Sequence, residues 1–318
     1  MGADAKEQAY DILCGCKDGI QGKFGSSYVC VLIEGDFIMD VRHRISFQHS
    51  DVAAFNFFSK LGLKKTEIRM KTDKSTIFDI GENDKRWSDI SKFLQEHPHI
   101  YDFQHRTEYT KAELDAADFY EIGILWEFEY PQPDDDFEYT SITYDSSNYC
   151  KKCGAGLKQI EPFSIKKSPK WGKRNIVQLF WIHDEYFVSG SLKSKIEAES
   201  EILNFRSVNK YKKKGESEPF DDIFQIDIAQ TVDLHMPKDS AHSHCAVCNR
   251  KKYVPITRDF FHRPQKDDFT IAHSLQTFGS GYSAYHAVLI SKDIYNLFNR
   301  IGVKGITYVP CYSMATQT

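Results

Sequence analysis

The amino-acid sequence predicts a mixed α+β fold in two parts, divided near residue 145/146. Three observations predict it. Short β-branched and aromatic runs are interspersed with amphipathic helical segments. Charge is split, with a net −12 over residues 1–150 and +8 over 151–318, which gives the chain's −4. Two C-x-x-C pairs, Cys150/Cys153 and Cys245/Cys248, lie beyond the boundary. A length of 318 residues suits two domains or one large one.

Taken in order, residues 25–35 read as a β-branched strand ended by Gly35. Ser50 is the expected cap of a helix carrying Val52, Phe55, Phe58 and Leu61 and stopped by Gly62. Ile68–Met70 and Thr76–Ile80 read as short strands. Trp87, Ile90, Phe93 and Leu94 mark an amphipathic helix up to His97. Thr110 and Glu113 form a capping box for a helix over 111–119. Residues 121–129 read as one strand, Pro131–Asp136 as a turn and Phe137–Tyr144 as an alternating strand. Further on, Val177–Phe180 and Tyr186–Val188 are strand-like, Ser189 caps a helix to about Glu199, and Leu203–Val208 is extended. The same order recurs after the second cysteine pair: strand 286–290, Ser291 as cap, a helix stopped by Gly302, and strand 305–309. Aligning Ser189 with Ser291 sets Leu192 on Ile294 and Ile196 on Phe298, so two related units are expected.

Hydrophobic residues make up 41% of the chain and aromatics 14%, which excludes a mainly disordered polypeptide. No apolar run reaches the ~18 residues of a membrane span, and the start lacks a signal-peptide pattern. A cytoplasmic protein is therefore expected. Eight cysteines are too few for a disulfide scaffold, so the two pairs favour a metal.

A C-x-x-C turn aims both sulfurs at one ion, and two such turns supply the four thiolates that suit Zn²⁺. The residue after each pair needs a left-handed backbone, and here those residues are Gly154 and Asn249. Ninety-one residues separate Cys153 from Cys245, against ~15–20 in an ordinary zinc ribbon, so a folded insert must join the two knuckles. A four-cysteine site of Cys150, Cys153, Cys245 and Cys248 would be structural, with no open position for water. His242 and His244 offer substitute ligands or are exposed histidines. Cys14 and Cys16 read as free thiols, and Cys30 and Cys311 as core residues.

From Cys150 to the end, the order of features resembles the bacterial double-CxxCG motif proteins. The features that carry it are Cys150-Lys-Lys-Cys153-Gly154, Tyr186–Ser189 with its helix, Asp222–Ile228, Val232–Pro237, Cys245-Ala-Val-Cys248-Asn249, and the strand–helix–strand at 286–309. Asn249 stands where the motif has its second glycine. The resemblance implies a zinc-stapled, duplicated strand–helix–strand domain over 146–318. It also implies a role as an immunity protein that binds and neutralises a toxin. Residues 1–145, an acidic α+β domain, fall outside it.

Twelve acids and one base occupy residues 108–145. Glu127, Glu129, Asp134, Asp135, Asp136 and Glu138 are the candidate surface for a basic protein partner. The alternative is a nucleic-acid-binding zinc protein whose basic, aromatic surface spans 166–181, with Lys166, Lys167, Lys170, Trp171, Lys173 and Arg174 as candidates. The bland reading of both stretches is solvated faces or mutual attraction. No P-loop, nucleophile elbow or H-E-x-x-H motif is present, so no catalytic residue is expected. Asp134–Asp136 reads as a solvated turn. His183-Asp184-Glu185 offers a base and two acids, but adjacent residues on a strand point to opposite faces, so no shared active site is expected.

Overall fold

The computed structural model describes residues 39–212 and 217–312. The strand expected at 25–35, Cys14, Cys16, Cys30, and Lys213 and Lys214 of the basic excess lie outside the described residues.

The first part runs β1 (Asp40–Gln48), α1 (Val52–Lys60), β2 (Ile68–Lys71), β3 (Ser75–Gly81), α2 (Trp87–Glu96) and β4 (Tyr101–Glu108). Its sheet is antiparallel, in the order β2-β3-β1-β4. Alternation along β1 turns Val41, His43, Ile45 and Phe47 inward. Ile45 and Phe47 pack with Phe58 of α1, Phe78 and Ile90 of α2. Asp51, not Ser50, caps α1: its carboxylate accepts the Ala54 N–H at 3.0 Å, three residues on.

The second part opens with α3 (Lys111–Ala116), where the Thr110/Glu113 capping box is present. β5 (Phe119–Ile124) and β6 (Glu127–Phe128) follow, so the run expected as one strand at 121–129 breaks at Leu125 and feeds two different sheets. Phe137–Tyr144 is not a strand. A 3₁₀ turn at Asp135–Phe137 leads into α4 (Tyr139–Thr143). Asp136 and Phe137 take φ of 48° and 60°, and the Thr140 and Ser141 hydroxyls bond back to the Phe137 and Glu138 carbonyls, which closes a helical turn.

Next come β7 (Tyr144–Asp145), β8 (Lys158–Gln159), β9 (Ser164–Ile165), β10 (Ile176–Leu179), β11 (Phe187–Ser189), α5 (Gly190–Glu199) and β12 (Asn204–Lys210). They are followed by β13 (Glu218–Asp227), β14 (Gln230–Val232), β15 (His242–His244), β16 (Lys251–Tyr253) and β17 (Phe261–His262). The chain of described elements ends with β18 (Ile271–Phe278), β19 (Tyr285–Ser291), α6 (Lys292–Ile301) and β20 (Ile306–Tyr312). The Ser189 hydroxyl caps α5 through the Leu192 N–H, whereas Ser291 holds the cap position of α6 without a side-chain bond. Gly302 ends α6 in the left-handed conformation.

Two large sheets result. One has six strands, β6-β10-β11-β13-β12-β9, and the other eight, running β15-β16-β18-β19-β5-β20-β17 with β14 beside β18. Each pairing in the six-stranded sheet has a counterpart in the eight-stranded one, whose β15 and β16 have none in the six-stranded sheet. β10 is antiparallel to β11, as β18 is to β19. β13 lies between β11 and β12 and antiparallel to both, as β5 lies between β19 and β20. β6 and β9 flank in parallel, as β14 and β17 do. Helices α5 and α6 pack together and share one core, in which Leu192, Ile196, Ile294, Leu297 and Phe298 meet Tyr120, Ile122 and Ile226.

Because β5 is a central strand of the eight-stranded sheet, the sheets divide between β4 and β5 rather than at 145/146. The first sheet meets the rest through Tyr109, whose hydroxyl donates to the Asp259 carbonyl at 2.6 Å, and through the Glu82–Arg258 ion pair. No described helix is long and apolar enough to cross a membrane.

Candidate metal centre

Each cysteine pair sits on a hairpin tip. Cys150 and Cys153 lie between β7 and β8, and Cys245 and Cys248 between β15 and β16. The two tips fold by the same bonds. Cys150 N–H donates to the Ala155 carbonyl at 2.9 Å, and Cys245 N–H to that of Arg250 at 3.0 Å. Gly154 and Asn249 N–H donate to the carbonyls of Cys150 and Cys245, both at 2.8 Å. Gly154 has φ 80° and Asn249 φ 58°, the left-handed conformation that the spacing demands.

The four thiols converge. Cys150 and Cys245 Sγ are 3.8 Å apart, Cys153 and Cys248 Sγ 3.6 Å, and all four sulfurs lie within 4.8 Å of one another. That is a group able to hold a metal ion, and among the described residues no other such group occurs. The Cys248 and Val247 N–H groups favour the Cys245 thiolate and bring its pKa down to about 6. Burial acts the other way on Cys153 and pushes it up to about 12. His242 and His244 are exposed on β15 and stand outside the cluster. Cys311 is buried in the core, as expected.

Two residues that sequence reasoning missed brace the centre. Lys252, 6% exposed, donates its ammonium to the carbonyls of Cys153, Gly281 and Ser283 at 2.8–3.1 Å. Arg250 Nη1 donates to the Asn148 and Ala155 carbonyls at 2.6 and 3.0 Å. Both cations tie one knuckle to the other. The signal was the basic run Asn249-Arg-Lys-Lys directly after the second pair.

The acidic candidates do not form one patch. Glu127 accepts from Gln178, Glu129 turns back to accept the Lys166 and Lys167 N–H groups, and Asp134 pairs with Lys166 at 3.3 Å. Asp135, Asp136 and Glu138 are exposed beside Phe137. Phe137, Tyr130 and Trp181 form an exposed aromatic cluster, with Trp181 4.4 Å from Phe137 and 4.3 Å from Tyr130.

All five basic candidates, Lys166, Lys167, Lys170, Lys173 and Arg174, are exposed. Trp171 instead packs on the core beneath the six-stranded sheet, and Arg174 lies over the Trp126 ring at 4.9 Å. His183, Asp184 and Glu185 precede β11 in an irregular segment rather than a strand. The alternation argument therefore does not apply, and all three line one cavity of about 520 Å³. No protein-family model matches the chain, and no curated protein matches it at a significant level.

Proposed function

We propose that this chain is a non-enzymatic binding protein of the immunity type, stapled by a structural Zn²⁺, that neutralises a basic protein toxin. The zinc reading rests on the sulfur separations. Four Zn–S bonds of ~2.3 Å at tetrahedral angles require S···S edges of ~3.8 Å, close to the 3.6 and 3.8 Å observed. Four thiolates fill the coordination sphere, so the ion would supply no activated water.

The observation that carries the partner reading is the aromatic cluster with carboxylates beside it. Tyr130 is 37% exposed, Phe137 52% and Trp181 41%. Large aromatics left in solvent beside unpaired charges have the composition of a binding hot spot. Phe137 and Trp181 adopt φ of 60° and 70°, where a bulky residue costs of order 1 kcal/mol, so the fold holds these rings outward against local strain. Asp135, Asp136 and Glu138 would steer a basic partner.

The matching strand orders support the idea of a duplicated unit whose first strands are exchanged. The Phe119-Tyr-Glu-Ile-Gly-Ile124 run of β5 corresponds to Ile223-Phe-Gln-Ile-Asp-Ile228. Each run sits in the sheet of the other unit.

Co-expression with the product of the adjacent gene tests the proposal. Growth should be rescued, and Asp135→Asn, Asp136→Asn and Glu138→Gln together should slow association about tenfold at low salt. An unchanged association rate counts against it. A steep salt-dependent shift with RNA or DNA through Lys167, Lys170 and Lys173 would favour the nucleic-acid reading instead.

A further inference from the structure

The cavity behind Trp181 is built from both sheets, with Glu185 and Asp184 before β11, Gln225 on β13, and His273 and His286 on β18 and β19. Several of its polar groups are already paired. Gln225 Nε2 spends its donors on Gln159 Oε1 at 2.6 Å and Glu185 Oε2 at 2.8 Å. Arg206 directs Nε and Nη2 to Asp227 at 2.7 and 2.6 Å. His273 Nε2 faces the Asp184 carbonyl at 2.8 Å and His286 Nδ1 the Ser274 carbonyl at 2.8 Å. A carbonyl only accepts, so each of those nitrogens carries a proton.

Two carboxyl groups keep acceptor capacity, on a wall that also carries the Tyr139 and Tyr144 hydroxyls and the Lys158 ammonium. Asp184 Oδ2 takes the His286 N–H at 3.0 Å, and its Oδ1 has no partner among the described residues. Glu185 Oε1 has only His273 Nε2, at 3.7 Å. The rings of Tyr139, Tyr144 and Trp181 line the same space and offer π faces. Two carboxyl groups among aromatic rings suit a ligand that brings donors and positive charge. A bare metal ion does not fit, because outside the four thiols no three ligand atoms among the described residues come within 4.8 Å of one another. A planar guanidinium, with its forked donors, spans wider separations.

We propose that this cavity binds a guanidinium or alkylammonium group, held by the free carboxyl oxygens of Asp184 and Glu185 and walled by Tyr139, Tyr144 and Trp181. The site shares Trp181 with the proposed partner surface but is argued from the cavity alone. Its ligand is either a free small cation or a side chain presented by a protein.

A proton count supports the geometry. Burial first, then the neighbouring Asp184 charge, raises Glu185 to about 8, so it is a neutral acid at neutral pH. The Gln225 bond and Arg206 oppose that rise, and Asp227 adds to it. An arriving cation favours the carboxylate, so binding below pH ~8 expels up to one proton, and affinity rises with pH until Glu185 is ionised in the free protein.

Calorimetry on the full-length, metal-loaded protein tests this, using agmatine, N-butylurea as its neutral counterpart, and a blocked Gly-Arg-Gly peptide. The expected result is that agmatine or the peptide binds and butylurea does not. Heats in two buffers of different ionisation enthalpy should then show proton release at slightly acid pH. Tighter binding of agmatine assigns a small-molecule source; tighter binding of the peptide assigns a protein side chain. Glu185→Gln copies the neutral acid, so it should fold as the native chain does, yet weaken binding at least tenfold and abolish the proton release. Asp184→Asn should weaken binding in the same direction. Failure of both cationic probes to bind at millimolar concentration, or undiminished binding by Glu185→Gln, overturns the proposal.

Discussion

At the scale of single residues, two glycines separate backbone strain from crowding. Gly62 has φ 62° and nothing within 4 Å of an added Cβ. Gly154 has φ 80°, and an added Cβ would lie 2.0 Å from the Tyr282 carbonyl oxygen. Gly62→Ala should therefore cost about 1 kcal/mol, the price of a left-handed alanine. Gly154→Ala adds a backbone clash that the 282–284 segment must absorb, for a total of about 3 kcal/mol. That segment also supplies the Ser283 carbonyl that binds Lys252, so the metal centre should loosen with it. Thermal melts and competition with a chromogenic chelator measure the two effects. Equal behaviour of the two variants would show that the close approach to Tyr282 is immaterial. Gly154 and the cysteines were legible in the sequence because a metal knuckle is a local object, fixed by spacing and one backbone conformation. Glu185 was not: its cavity is assembled from segments of both sheets, and no run of residues encodes their meeting.

At the scale of elements, His43 of β1 joins three pieces of chain. Its Nδ1 lies 3.0 Å from Asp102 of β4 and its Nε2 2.8 Å from Glu82 after β3, and Glu82 also holds Arg258 from the second part. Burial alone would lower the imidazole's pKa, but the hydrogen bonds to Asp102 and Glu82 outweigh it and raise it to about 9. With the folded value above the unfolded ~6.5, the charged imidazole stabilises fully below pH ~6.5, and this contribution is lost as the pH climbs to about 9. Allowing for solvent screening, about 1–2 kcal/mol is expected. The melting temperature of the first sheet should fall across that window, and His43→Gln should flatten the fall. Identical pH profiles for the two proteins would remove the imidazole from the account. Helix starts at Thr110 and Ser189 were readable because caps act within three residues. The Phe137–Tyr144 segment misled because its aromatic alternation imitates a strand, while left-handed residues at 136 and 137 turn it into a helix. β4, β13 and β18 were passed over as strands, and the seat of β5 between β19 and β20 depends on pairing across more than 160 residues, which period-two patterns do not carry.

At the scale of the whole molecule, a metal held by the four thiols would add a tie to those the core already makes. The thiol pairs close a loop of some 95 residues, and by chain entropy such a closure is worth ~4–5 kcal/mol. The two large sheets are nevertheless tied by other means. Helices α5 and α6 share one core, the Tyr186 hydroxyl donates to the Ile122 carbonyl at 2.6 Å, and β5 and β13 are each hydrogen-bonded on both sides within their sheets. Chelation should accordingly lower the melting temperature by roughly 10 °C without unfolding the chain. Hydrogen exchange should then accelerate in the knuckles, residues 144–159 and 242–253, and in the 279–284 turn whose carbonyls receive Lys252. Amides of β5, β13 and the first sheet should keep their protection. If β5 exchanged as fast as the knuckles after chelation, the metal rather than the shared core would be what holds the two large sheets together.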